Sequence, residues 1–235
     1  MYGNANQITL TQARQEASTI FLAKVFNWMA IGLGLTGVVA YLTASSGIAM
    51  QIVASPMLMI LVLAELGMVF YLSARIDKLQ ASTATGLFIG YAVLNGVTLS
   101  TIFLAYTRSS IAGTFFITAA MFGAMAIYGL VTKRDLSGLG SFLFMGLIGI
   151  LVASLVNMFF QSSAMSWVIS MVGVLVFTGL TAYDVQRIKS IGEQGIMTQG
   201  EEMIKKGSIM GALALYLDFI NLFLMMLRLF GGSRD

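Results

Sequence analysis

Three acidic residues in this sequence stand where an acid is costly. Glu65 lies inside LVLAELGMVF, Asp218 inside LALYLDFINLFLMM, and Asp184 in TGLTAYDVQRIK. Carboxyl groups in such surroundings can hold and release protons, or offer oxygen to a hard cation such as Ca²⁺. Other routes to chemistry are closed. There is no His, so no imidazole switch, metal site or histidine-based triad, and no Cys, so no disulfide, thiolate site or cysteine nucleophile. Proton chemistry falls to the ten carboxylates, the eight Tyr and the Lys residues.

The elements that must position these acids follow from composition. Of 235 residues, 13 are Lys or Arg and 10 are Asp or Glu, while 58% are hydrophobic and 25 are Gly. A soluble domain averages about 25% charged residues, and 10% is too few to cover a globule of this size. The chain reads as an all-α integral membrane protein. Seven stretches approach the ~20 apolar residues that span a bilayer: 22–44, 56–74, 84–106, 111–132, 140–160, 165–184 and 208–230. Outer-membrane strands would alternate apolar and polar residues; these runs are continuous. The net charge of +3 is scattered around span ends, which is no nucleic-acid signal.

Residues 1–18 are polar and lack the pattern of a secretory signal. They are expected to form a cytoplasmic tail, followed by a single seven-helix domain over 19–232 and a short C-terminal tail, 233–235. The only proline, Pro56, follows Ser55 and suits the start of the second span. Orientation follows from basic residues near span ends. With a cytoplasmic N-terminus, Arg14, Lys24, Arg75, Lys78, Lys133, Arg134, Arg187, Lys189, Lys205 and Lys206 lie inside, against Arg108, Arg228 and Arg234 outside. Seven spans then place the C-terminus in the periplasm.

Small and polar residues inside spans read as packing. They are Asn95 with Thr98, Ala119 with Gly123, and Gly146, Gly149 and Ala153 followed by Asn157. Trp28 and Trp167 fall near span ends, where an interfacial belt is expected. An acid at the centre of a membrane helix costs about 2.5–3.5 kcal/mol on insertion scales, so it faces a partner or a watery path. Asp218 shares a helix face with Asn221; a functional acid and a protonated one bonded to a neighbouring helix are both open. Asp184 closes the sixth span, and a helix-end pair with Arg187 is an equal reading. Asp77, Asp135, Glu193, Glu201 and Glu202 read as solvated loop charges.

The stretches TGLTAYDVQRIK and LALYLDFINLFLMMLRLFG, together with MFGAMAIYGLVTKRDLSGLGSFLFMGLIGILVASLVN, resemble the bacterial inner-membrane branch of the Bax inhibitor-1 family, the transmembrane Bax inhibitor motif proteins. The resemblance implies a seven-helix bundle with the last helix central and wrapped by the other six. It also implies a pH-sensitive calcium leak and a pH-sensing aspartate pair on helices six and seven, which falls on Asp184 and Asp218. A latch arginine after the second helix maps to Arg75, and Glu65 occupies a second-helix position where an acid is also familiar.

Such a pair would share a proton and titrate as a unit. Two carboxylates suit transient Ca²⁺ passage better than storage. For the two to meet, either the sixth helix must begin deeper or the seventh must start inside the cytoplasm. The expected function is a calcium or cation leak channel or transporter, not an enzyme, with Ca²⁺ as cargo and no resident cofactor. Lipid is the obligatory partner. A membrane-embedded regulator binding a quality-control protease, or another membrane protein, is one alternative, with residues 1–18 and 185–207 as its exposed surfaces. An intramembrane aspartyl protease is another, although its second aspartate stands in LYLDF rather than the Gly-x-Gly-Asp context of that class.

Overall fold

In the computed structural model, residues 2–232 are described, with side chains from Gln12 onward. The proposed 233–235 tail, with Arg234, lies outside the described residues. The helices are α1 (Tyr2–Ser45), α2 (Ile48–Val53), α3 (Met57–Arg75), α4 (Ala81–Leu99), α5 (Ile102–Ala105), α6 (Arg108–Val131), α7 (Ser137–Phe160), α8 (Ser163–Glu193) and α9 (Glu201–Phe230). Seven of them, all but the short α2 and α5, are long and apolar enough to cross a bilayer. The protein is an all-α, seven-span membrane protein, as its composition dictates.

The main departures from the sequence reading are at helix ends. The polar segment before the first span is helical, because α1 is continuous from Tyr2. The sixth span does not close at Asp184 but runs on to Glu193, and the seventh starts at Glu201 rather than 208. Residues 185–207 are therefore mostly helix, and the connection shrinks to 194–200. Gly195 and Gly200 bound it at φ +93° and +89°, backbone angles that side chains with a Cβ rarely adopt. Between them a single 3₁₀ turn tucks Ile196 inward. A helix needs apolar residues only where it crosses hydrocarbon, so hydropathy marks the span and not the helix. At α3, Ser55 Oγ accepts the Met57 N–H at 3.3 Å, and the helix starts one residue after Pro56.

The chain divides into two compact units, Met1–Leu104 with Ile188–Leu213, and Ala105–Arg187 with Ala214–Asp235. In the first unit, α1 packs on α4. Its buried positions Ser18, Phe21, Leu22, Val25, Met29, Thr36 and Ala40 follow the helical repeat. At Gly96 a Cβ would stand 2.8 Å from the Thr36 carbonyl oxygen and from Val39 Cβ, so the backbones approach to a distance only glycine allows. Beside it, Thr36 Oγ1 donates to the Ala92 carbonyl at 2.8 Å. Gly207 and Gly211 of α9 form a similar groove, receiving Phe21 and Val25 of α1. Beyond the apolar stretch, Ser18 Oγ donates to the Lys189 carbonyl at 3.0 Å, tying the polar extension of α1 to that of α8.

In the second unit α7 and α8 interlock. Tyr183 covers Gly140, Leu143 covers Gly179, and Val176 covers Gly146. The expected stripe is thus only partly a contact: Gly149 and Gly123 face open space. Asn157 Nδ2 donates to Ser166 Oγ at 2.7 Å, and Asn157 Oδ1 accepts the Ser162 N–H at 3.0 Å, closing the α7–α8 turn. The end of α9 meets the start of α6, where Gly232 N donates to Ser110 Oγ at 2.8 Å and Thr107 N to the Gly232 carbonyl at 3.2 Å. The last helix is unbroken from Glu201 to Phe230. It is also the most enclosed span, with 67% of its apolar window buried against 6–39% for the others.

Replacing Gly96 with Ala is expected to destabilise the protein by about 1–3 kcal/mol through overpacking against backbone. Gly123→Ala, which adds a methyl to open space, is expected to be neutral or slightly stabilising. Unfolding in mild detergent by circular dichroism checks both.

Candidate functional site

Two carboxyl groups meet on α8 and α9. Asp184 and Asp218 lie within hydrogen-bonding reach of each other. The extended helices bring this about. Because α8 continues past Asp184 to Glu193, and α9 begins at Glu201, Asp184 sits well inside its helix and level with Asp218. Of the two expected routes, the earlier start of the seventh helix is seen; the sixth begins near its expected position, at Ser163, and contributes by running on past Asp184. Farther along, Met225 of α9 lies over Gly173 of α8, so the two helices stay close on the far side of the pair as well.

The surroundings are dry. Asp218 is 4% exposed, flanked by buried Leu215, Tyr216, Phe219 and Leu222. Phe219 packs edge-on against Phe122 and Phe115 of α6, with ring centroids 5.5 and 5.4 Å apart. The Oδ2 atom of Asp218 has no hydrogen-bond partner among the described residues. Asp184 is less enclosed and is attracted by Arg187 on its own helix, which is exposed. Asp184 thus feels the charge of Arg187 and meets Asp218, but it is not the helix-end acid of the other reading, since α8 continues beyond it. Two neighbouring carboxylates lack a hydrogen to bond through, so a contact of this kind holds a shared proton. Chemically the pair can store one proton, release it, and then offer carboxylate oxygens to a cation.

The other candidates each have their own surroundings. Asn221 is half-buried, and its amide donates to the Leu217 carbonyl of its own helix at 2.8 Å. Arg75 is exposed at the last residue of α3. Glu65 forms a separate cluster in the first unit. It accepts from Thr98 Oγ1 at 2.5 Å and from Asn95 Nδ2 at 3.3 Å, so α4 supplies the partners for the acid of α3. The sequence showed Asn95 and Thr98 at helical spacing but only as packing residues. The short connection between α3 and α4 makes these helices antiparallel neighbours, and that was the available signal. The cluster sits just before Ser100 and Thr101, where the α4 helix breaks before resuming at Ile102.

Sequence reasoning passed over two polar residues. Lys206 of α9, expected at a solvated end, is 9% exposed; its ammonium donates to the Asp77 carbonyl at 3.3 Å and pairs with Glu202 at 3.5 Å. Gln186 carried no expectation of its own. Its side chain instead holds the backbone of the α6–α7 loop. No group of three or more His, Cys, Asp or Glu side chains able to hold a metal ion occurs among the described residues.

Seven spans, the last of them the most enclosed, with paired aspartates on the sixth and seventh, define a polytopic membrane protein with a carboxyl pair buried between two of its helices. The sequence profile described as "Inhibitor of apoptosis-promoting Bax1" matches residues 19–235, and the chain belongs to that family, the Bax inhibitor-1 family. It is 51% identical over 228 residues to the inner membrane protein YbhL of Escherichia coli K12, covering 96% of this chain and 97% of that protein. It is 47% identical over 233 residues to an uncharacterized protein of Borreliella burgdorferi (97% and 99% covered). Against an uncharacterized membrane protein of Streptococcus pyogenes serotype M3 the identity is 42% over 218 residues (91% and 93% covered).

The Glu65 cluster is open to a direct test. A double-mutant cycle with Glu65→Leu and Thr98→Val, followed by unfolding in detergent, is expected to give a coupling of about 0.6–1.7 kcal/mol, the span of hydrogen bonds between membrane helices. Zero coupling would mean that the Thr98 hydroxyl is bonded to the Leu94 carbonyl, its neighbour at 3.3 Å.

Proposed function

We propose that this protein is a pH-sensitive calcium leak of the bacterial inner membrane, gated by the Asp184–Asp218 pair. The observation that carries this reading is the carboxyl contact itself, formed between two spans with one partner nearly sealed. When the proton is shared, the pair holds α8 to α9. When it is lost, two like charges repel in a medium that screens them poorly. The helix packing then shifts, and the freed oxygens offer a hard cation a brief stop. Two carboxylates are too few for a storage site, which suits passage. The distribution of basic residues supports a cytoplasmic N-terminus and a periplasmic C-terminus. The family is not one of enzymes, and no peptide-bond chemistry is assigned to the pair.

A second reading is compatible with the first. The exposed residues 12–16 of α1, in the helical extension before the span, offer a surface to another membrane protein such as a quality-control protease. Co-purification lost on removing that extension, with ion flux intact, would favour it.

Calcium flux into proteoliposomes across a pH series tests the leak. One shared proton sets a ceiling of about tenfold change in occupancy per pH unit. Asp184→Asn and Asp218→Asn should each flatten that response to within about twofold. A wild-type pH profile in both variants overturns the proposal, and cleavage of a membrane substrate lost in Asp218→Ala would replace it with aspartyl proteolysis.

A further inference from the structure

The stretch of α8 that carries Asp184 is gripped from three sides within its own unit. On α6, a Cβ at Gly129 would run into the Ala182 carbonyl. On α7, the Tyr183 ring lies where a Cβ at Gly140 would be, 2.5 Å from its nearest carbons. The third grip is the Gln186 amide. Its Oε1 accepts the Leu136 N–H at 2.9 Å, and its Nε2 donates to the Arg134 carbonyl at 2.8 Å. The first two grips set how closely α8 approaches, through shape. Only the third is directional, because an amide that both donates to and accepts from one loop tolerates little rotation of the helix that carries it.

The loop it holds is itself fixed. Leu136 is buried. Asp135 Oδ1 accepts the Ser137 N–H at 2.9 Å. The side-chain and backbone hydrogen bonds from Ser137 hold the Asp135 carboxyl below the usual carboxylate range, so it stays ionised near neutral pH. Arg134 N reaches Thr132 Oγ1 at 3.3 Å. The loop is thus a firm post. One residue of helix is about 100° of rotation, so a modest turn of α8 would carry Asp184 away from Asp218.

We infer that Gln186 is the positioning residue of the carboxyl pair, its amide locked to the α6–α7 loop so that α8 presents Asp184 to Asp218. The inference rests on the reading of that pair as a proton sensor. The charged groups that act on Asp184 are Asp218 on α9 and Arg187 on α8. The loop that Gln186 holds carries Lys133, Arg134 and Asp135, Tyr183 covers Gly140, and Tyr128 precedes Gly129 in α6. α6 and α7 meet this stretch with Gly129 and Gly140, which bring no charge.

The test is a titration of the pair by infrared difference spectroscopy on the whole protein in liposomes, reading the carboxylic-acid band that Asp218→Asn removes. Gln186→Met keeps the length and removes both bonds; Gln186→Asn keeps an amide one methylene short. Gln186→Met is expected to move the titration midpoint by about half a pH unit or more, and Gln186→Asn by a smaller amount in the same sense, with the midpoint for calcium flux moving in step. A midpoint within about 0.2 of wild type in Gln186→Met overturns the inference; if that variant does not fold, the same threshold in Gln186→Asn decides. If the band shifts while wild-type flux ignores pH, positioning by Gln186 stands and gating by the pair falls.

Discussion

A carboxyl group among apolar helices has no bulk water to solvate it, so another protein group must meet it. Most of this architecture can be derived from that constraint. Asp218 is nearly sealed, and the group that meets it is Asp184. The meeting requires α8 and α9 to lie side by side at that level. It also requires α8 to be held closely by α6 and α7, which Gly129 and Gly140 allow by having no side chain. Glu65 obeys the same rule with different partners, a hydroxyl and an amide donated by the next span. One acid is answered by another acid and the other by neutral donors. Only the first arrangement depends on a proton that can leave.

How much of this was legible in the sequence depends on what each feature obeys. The seven spans were legible because a bilayer imposes a minimum apolar length. The ends of the helices were not, because outside hydrocarbon a helix needs no continuous apolar run; α1 from Tyr2, the α8 run to Glu193 and the α9 start at Glu201 all mix polar residues with a few apolar ones. Those few turns decide whether Asp184 closes its span or sits inside it. Spacing alone left that residue poised between Arg187 and a partner across the bundle, and the family resemblance tipped the choice.

Glycine was harder to read. Gly146 and Gly149 look alike in sequence, yet one meets Val176 and the other faces open space. A close approach belongs to two helices at once, and one helix pattern does not name the second. Gln186 was illegible for a related reason. An amide beside an arginine and a lysine looks like a wet surface, and its two partners lie 50 and 52 residues earlier in the chain. The Glu65 cluster was half legible, since Asn95 and Thr98 were noticed but not joined to the acid they serve.

The enclosure of α9 bears on how the protein is made. This helix follows the other six along the chain and so leaves the ribosome after them. It carries an acid near its middle, which an isolated helix would pay for on entering lipid at about 2.5–3.5 kcal/mol. The cost is offset when Asp184 is already in the membrane to share a proton with it. Synthesis order and the carboxyl contact therefore act together: the span least suited to lipid arrives when its partner is in place. The contact that would sense pH in the mature protein also helps seat its last span during biogenesis.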